Sequence, residues 1–302
     1  MKYLITGGSG LVGSNITELI LKNKEEVNWL TSSKKENNAV NSFNWNIYKN
    51  QIDSACFKNV DVIIHLAGAG VADKKWTVER KKELIESRIK STQLLFDAVK
   101  LLENKPKAII SASAIGIYKN KEYDLVNEES EVGNDFLADL TNKWEMAVNQ
   151  FETIGIRVVK LRIGIVLSEK GGYLKKVAAP AKYGFAAALG NGKMITSWIH
   201  IADLVNMFIY ASKNENMKGV FNAVAPHPVT NLEITKQIAH ALNRPYFLPN
   251  IPAFLLKLAF GEMAAVILMS QNISSSKIEK AGFKFEFEEL KEALENIYNT
   301  KK

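Results

Sequence analysis

The stretch Lys2-Tyr3-Leu4-Ile5-Thr6-Gly7-Gly8-Ser9-Gly10-Leu11-Val12-Gly13 constrains the fold of this chain more than any other. A short apolar run breaks into clustered glycines, and a helical stripe follows at Ile16, Leu19 and Ile20. That pattern predicts a buried strand, a tight turn and a helix N-terminus. Gly8-x-Gly10-x-x-Gly13 and Gly7-x-x-Gly10-x-x-Gly13 both fit a turn in which each glycine has a mechanical task. One makes the turn, one lets a pyrophosphate approach the backbone, and one lets helix and strand pack closely. The free N–H groups and positive dipole end of the helix then face phosphate. In this context the turn reads as a dinucleotide site formed by Thr6, Gly7, Gly10, Leu11, Val12 and Gly13. The alternative is a merely structural glycine turn.

The next segments extend that reading. Val27–Thr31 reads as a second strand, and the residues after it decide the ribose contact. An Asp or Glu there suits a free 2′-hydroxyl. This chain has Thr31-Ser32-Ser33-Lys34-Lys35, hydroxyls and ammonium groups that suit a 2′-phosphate, so NADP is expected over NAD. Val60–Gly68 is a near-continuous apolar run, as for a central parallel strand covered on both faces. It ends at Leu66, Ala67 and Gly68, where the backbone can approach a cofactor. A helix is expected over 76–100, a strand over 108–113 ending in Ser111 and Ser113, a helix over about 135–151 and a strand over 157–162. Ligands of open α/β sheets bind outside the carboxyl ends of the strands, which places Ser113 where chemistry is expected. This alternation predicts an α/β fold, a Rossmann-type doubly wound parallel sheet. A smaller, mostly helical C-terminal substrate lobe follows, with the nucleotide domain at 1–165 and the lobe at 166–302. The lobe includes a small helical domain from about 249.

The chain has 302 residues, enough for one large core or a core plus a lobe. Its formal charge of +7 comes from scattered lysines, including Lys74 and Lys75. No aromatic-interleaved basic stripe points to nucleic acid. Cys56 is the only cysteine, and the four histidines lack metal-ligand spacing, so no disulfide framework or metal site is expected. The apolar segment Phe254–Met269 contains Lys257 and Glu262 and reads as a buried helix pair, not a membrane span. With a strand starting almost at Met1, a cytoplasmic protein is expected, a monomer or homodimer acting on a small molecule.

Together the motifs resemble an extended-type short-chain dehydrogenase/reductase, and more narrowly the atypical, epimerase-like subgroup with a small C-terminal domain. The resemblance runs nearly end to end. It is carried by Thr6–Gly13, His65–Gly68, Ser87–Thr92, Ser111–Tyr118 and Asp135–Ala138 through Trp144-Glu145. Arg162–Leu167, Gly171-Gly172, Ser197–Leu204, Pro228–Asn231, Gly261-Glu262 and Ala281–Phe285 complete it. Working members of the superfamily use a Tyr-x-x-x-Lys pair; here Leu137 and Thr141 take those positions, and neither can supply the proton chemistry. The upstream hydroxyl is kept as Ser113, and Arg88 stands where the superfamily has a helix asparagine. The resemblance implies cofactor contacts from the glycine turn, Arg88 and Arg162, and catalytic roles for Ser113, Tyr118 and Arg88.

Several residues keep two readings. Tyr118 is a phenol for proton transfer or a packed aromatic. Arg88 binds an anionic substrate or a cofactor phosphate, or it pairs with Glu83 or Asp139. His200 titrates near neutrality or is structural, and Trp76 and Trp198 line a pocket or the core. The implied function is an NADP-dependent oxidoreductase or epimerase-like enzyme; the alternative is a non-catalytic NADP-binding regulatory or interaction module.

Overall fold

The structure, a computed structural model, describes residues 1–32, 40–120 and 123–299. Its first half alternates strand and helix. In order come β1 (Lys2–Thr6), α1 (Leu11–Lys22), β2 (Glu26–Thr31), β3 (Asn41–Asn46), β4 (Gln51–Ile52), β5 (Val62–His65) and α2 (Val78–Lys100). Then follow β6 (Ala108–Ala114), β7 (Leu125–Val126), α3 (Phe136–Asn149), β8 (Arg157–Ile163) and β9 (Ile165–Leu167). The second half holds α4 (Gly172–Ala181), β10 (Ile195–Thr196), β11 (Trp198–His200), α5 (Ile201–Lys213), β12 (Gly219–Ala223) and β13 (Val229–Thr230). It ends with α6 (Asn231–Ala241), α7 (Ala253–Phe260), α8 (Ala264–Ile267), β14 (Asn272–Ile273), α9 (Ser276–Lys280) and α10 (Leu290–Asn299).

Eight strands form one sheet in the order β12-β8-β6-β5-β1-β2-β3-β4. All neighbours run parallel except the β3–β4 pair. Strand side chains alternate faces, and both faces are covered. Tyr3, Ile5, Val62, Ile64 and Ile110 pack with Ile16 and Ile20 of α1 and with Leu204 and Phe208 of α5. Leu4, Ile63 and Ile109 pack on the opposite side with Leu94 and Leu95 of α2 and Trp144 and Val148 of α3. Each such apolar side chain removed from water contributes about 1.5–3 kcal/mol, which is why the near-continuous apolar runs become the inner strands.

Two expectations meet a different arrangement. The main sheet does not stop at residue 165: β12 pairs with β8 and α5 packs on the α1 side, so residues 201–223 return to the nucleotide layer. The apolar segment around 254–269 does form two helices, but α7 is not buried. Phe254 and Leu258 are 67% and 82% exposed, because apolar composition shows what a helix carries and not what it packs against. No helix among the described residues is long and apolar enough to cross a membrane.

The C-terminal part has its own core, where Leu174 and Ala178 of α4 meet Ile234 and Ile238 of α6, Leu290 and Leu294 of α10, and Trp198. Trp198 is fully buried and donates to the His227 carbonyl, which settles it as a core residue. The tail also reaches back across the chain, since β14 pairs in parallel with β7.

Phe151, fully buried, meets Phe96 edge-on at 5.4 Å between centroids. Phe151→Ala removes both the burial and the aromatic pair, and is expected to lower stability by about 3–5 kcal/mol. Urea denaturation with an unchanged m-value is the check.

Candidate functional site

The glycine turn is built as its sequence implies. Gly7 has φ +72°, open to glycine at little cost, and a Cβ there would stand 3.1 Å from the Leu66 backbone. A Cβ on Gly13 would come within 2.4 Å of the Gly7 carbonyl oxygen, so the first turn of α1 packs directly on the loop. Gly8 rests on the Trp29 ring, which a Cβ would overlap at 2.5 Å. Trp29 Nε1 in turn donates to Thr17, and the Thr17 hydroxyl donates to the Gly13 carbonyl. The turn is thus clamped from β2 through α1. Gly10 caps α1 with no side chain, which leaves the first-turn N–H groups without a side-chain acceptor.

Thr6 joins this turn to the end of β5. Its hydroxyl oxygen accepts from the backbone N–H groups of Leu66 and Ala67, at 3.1 and 3.2 Å. Its own hydrogen therefore goes to His65 Nδ1 at 2.8 Å. His65 must then carry its proton on Nε2, donating to Thr92 Oγ1 at 2.9 Å, and Thr92 donates to the Arg88 carbonyl. Burial, with the Arg88 charge adding to it, pushes the His65 pKa down to about 4 and keeps the ring neutral.

Ser113, at the end of β6, is 3% exposed and donates to Glu145 Oε1 at 2.5 Å. Arg162 forks the same carboxylate, Nε to Oε1 at 2.8 Å and Nη2 to Oε2 at 2.9 Å. Its Nη1 donates to the Tyr118 hydroxyl and the Glu128 carbonyl, and Tyr118 donates to Asn222 Oδ1 at 2.6 Å. Burial alone would raise the Glu145 carboxyl, but the Arg162 contacts, the Ser113 hydroxyl and Lys160 hold it below the usual range. The same carboxylate raises Arg162 against its own burial.

This geometry corrects two expectations. Tyr118 is no accessible phenol: it is 1% exposed, and burial pushes its pKa up to about 12 despite Arg162. Arg162 spends its donors on Glu145, Tyr118 and Glu128, so it is a strut inside the protein and not a cofactor contact. Ser113, its hydrogen committed to Glu145, can accept a hydrogen bond from a ligand hydroxyl but has none to give a carbonyl.

Arg88 does not pair with Glu83 or Asp139. Glu83 binds Arg80 and Asp139 binds Lys143. The Arg88 guanidinium stacks on Trp144 at 5.0 Å and lies against Gly68, where a Cβ would stand 3.1 Å from Cζ. Leu137 and Thr141 are both buried on α3, and Leu137 packs against Gly116. His200 caps α5, accepting from the Ala202 N–H, with its ring 4.0 Å from Phe287. Burial pushes its pKa down to about 4, which makes it structural. Trp76 packs edge-on against Phe136 and donates to the Val71 carbonyl. Thr31 is half-buried and Ser32 exposed at the end of β2. Ser33 and Lys34 lie outside the described residues. Glu145, Trp144 and His65 hold Ser113, Arg88 and Thr6 in place but carried no role in the sequence reading. Lys160 and Arg162 on a covered strand were the signal that a buried carboxylate had to exist.

The profile of the NAD dependent epimerase/dehydratase family matches residues 3–223. The chain belongs to that family. A second profile, a domain of unknown function (DUF1731), matches residues 251–297. An epimerase family protein of Staphylococcus aureus (strain MRSA252) is 37% identical, over 98% of each chain. The human epimerase family protein SDR39U1, solved with NADPH, superposes with a TM-score of 0.88 at 27% identity, over 99% of each chain. A nucleoside-diphosphate sugar epimerase from Corynebacterium glutamicum superposes with a TM-score of 0.80 at 28% identity; the match spans 99% of this chain and 58% of that one. The residues present fit the dinucleotide that the family name implies. The α1 N-terminus is open and uncapped, and the turn before it has no room for a Cβ at Gly8 or Gly13.

Two outcomes follow. Glu145→Ala leaves Arg162 buried without its counter-charge, and is expected to cost about 3–5 kcal/mol. The double variant Glu145→Ala/Arg162→Met should lose less than the two single changes summed, as a denaturant double-mutant cycle would read. His65, with its pKa lowered from 6.5 to about 4, binds a proton more readily when unfolded. Stability is then fully present above about 6.5 and falls as pH drops toward 4, by about 3 kcal/mol. Denaturation across pH 4–7 should show a shallower slope in His65→Gln, with His200 supplying part of what remains.

Proposed function

We propose that the chain binds NADP(H) along the glycine turn and acts as an oxidoreductase or epimerase-like enzyme on a small molecule. The observation that carries this is the cradle itself: a Cβ-intolerant turn, an uncapped helix N-terminus and the Leu66–Gly68 backbone beside it. Gly7, Gly10 and Gly13 with the first N–H groups of α1 would hold the pyrophosphate, and Thr31 and Ser32 at the end of β2 would face the ribose. Ser33 and Lys34 are the sequence basis for choosing NADP, and the human relative solved with NADPH supports the same choice. When bound, the nicotinamide supplies a hydride donor or acceptor.

The protein's own part is orientation. Ser113 accepts from a substrate hydroxyl, and Glu145 fixes the direction of that hydrogen bond. Leu137 and Thr141 supply no proton, and Tyr118 is sealed, so proton exchange runs through the substrate or solvent. That vacancy also favours a second reading, an NADP-binding module that senses redox poise or works through a partner.

Fluorescence titration is expected to show NADPH binding more tightly than NADH, by about tenfold or more, with the preference reduced in Lys34→Glu. Equal affinities would remove the NADP assignment. NADPH oxidation followed by absorbance against carbonyl compounds and nucleotide sugars separates the two readings. Tight binding without turnover of any of them, together with a partner captured only in the presence of NADPH, would favour the module.

A further inference from the structure

Three arginines of this fold are buried, Arg80, Arg88 and Arg162, and two of them are matched by a carboxylate from within. Arg162 has the Glu145 carboxylate. Arg80 has the Glu83 carboxylate and donates to the Gly70 carbonyl. Arg88, 8% exposed, has a single hydrogen bond among the described residues, from Nη1 to the Leu84 carbonyl one turn back on its own helix. No carboxylate among the described residues is within ion-pair distance of it. Burial, with the Arg80 charge second, lowers its pKa to about 10, the mark of a cation without a counter-ion.

The surroundings are short of acceptors too. The indole N–H of Trp144, on which Arg88 stacks, is buried without a partner, and so is Arg80 Nε. These orphans are all donors. Buried donors and a buried cation are costly to leave unmatched, so a group that brings acceptors only and a negative charge fits this corner best. A planar guanidinium held over an indole ring offers its fork of donors to carboxylate or phosphate.

The position points to substrate over cofactor. The pyrophosphate has its own receptor in the α1 N-terminus, whereas Arg88 lies behind Gly68 at the end of β5. The register pairs His65 with Ser111, so the Ala67–Gly68 segment and Ser113 lie at the carboxyl ends of neighbouring strands. Trp144 and Glu145 are successive residues of α3, one under Arg88 and the other holding Ser113. We propose that Arg88 receives an oxyanion of the substrate, a carboxylate or phosphate, beside the Ser113 that accepts its hydroxyl. This rests on the assignment of the cleft to NADP(H).

The test is side-chain NMR of the arginine Nε–H signals in the NADPH-saturated protein, titrated with oxalate and, separately, with inorganic phosphate. The Arg88 signal, assigned by its loss in Arg88→Lys, is expected to shift and saturate. Calorimetry should show anion affinity about tenfold weaker in Arg88→Lys and absent in Arg88→Met, with NADPH affinity changed less than about twofold. Anion affinity equal in wild type and Arg88→Met overturns the proposal. So does a tenfold loss of NADPH affinity in Arg88→Met with phosphate competing against NADPH, which would give Arg88 to the cofactor. If the wild-type protein binds no NADPH, the cofactor reading fails by itself, and the same anion titration on the free chain still reads Arg88. If Arg88→Met does not fold, the wild-type shift and Arg88→Lys decide.

Discussion

The buried pair of Glu145 and Arg162 is the polar tie among elements that the sheet pairing and the apolar core bring together. It ties α3 to the end of β8, takes in Ser113 from β6, and through Tyr118 reaches Asn222 on β12. A buried ion pair is weak evidence for stability, because desolvation consumes much of the attraction. Its value here is directional. The hydroxyl hydrogens of Ser113 and Tyr118 are both committed, so each hydroxyl has one orientation, and Ser113 is left as an acceptor. The carboxylate is a poor proton store while Arg162 forks it, which separates the positioning of a ligand from the handling of its proton.

The opposite wall of the cleft works without side chains. Gly7, Gly8 and Gly13 leave backbone against backbone, and the clamp from Trp29 through Thr17 to Gly13 sets that surface rigidly. Thr6 and His65 extend it to the Leu66–Ala67 backbone by a chain of hydrogen bonds with a single consistent proton assignment. The neutral state of His65 is part of that assignment: a second ring proton would face a hydroxyl whose lone pairs are already occupied. On the proposed reading, the wall without side chains receives phosphate and ribose, and the wall of fixed polar groups receives the substrate.

The glycine turn and the inner strands were legible in the sequence because their signals are local. The turn spans a few residues, and an apolar run such as Val62–Ile64 needs no partner to be read as covered on both faces. The polar network was not legible, because Ser113 and Glu145 are 32 residues apart and Tyr118 and Asn222 are 104 apart. Sequence spacing says nothing about which of several carboxylates meets Arg162. Strand β12, Gly-Val-Phe-Asn-Ala, has no continuous apolar run to announce it, and its place at the sheet edge comes from the pairing with β8. The exposure of α7 was misread for a related reason: apolarity is a property of the segment, burial a property of its neighbours.

The return of the tail to β7 has an electrical meaning. Gln271 donates to the Tyr118 carbonyl, and Asn222 donates to the Ser274 carbonyl, so the outer side of the charge network is closed by residues 271–274. The attraction between Glu145 and Arg162 depends on how little water reaches them. The C-terminal segment thereby acts as insulation for a charge pair formed elsewhere in the chain. Loosening it would weaken the network without touching any of its charged members, and the orientation of Ser113 would relax along with it.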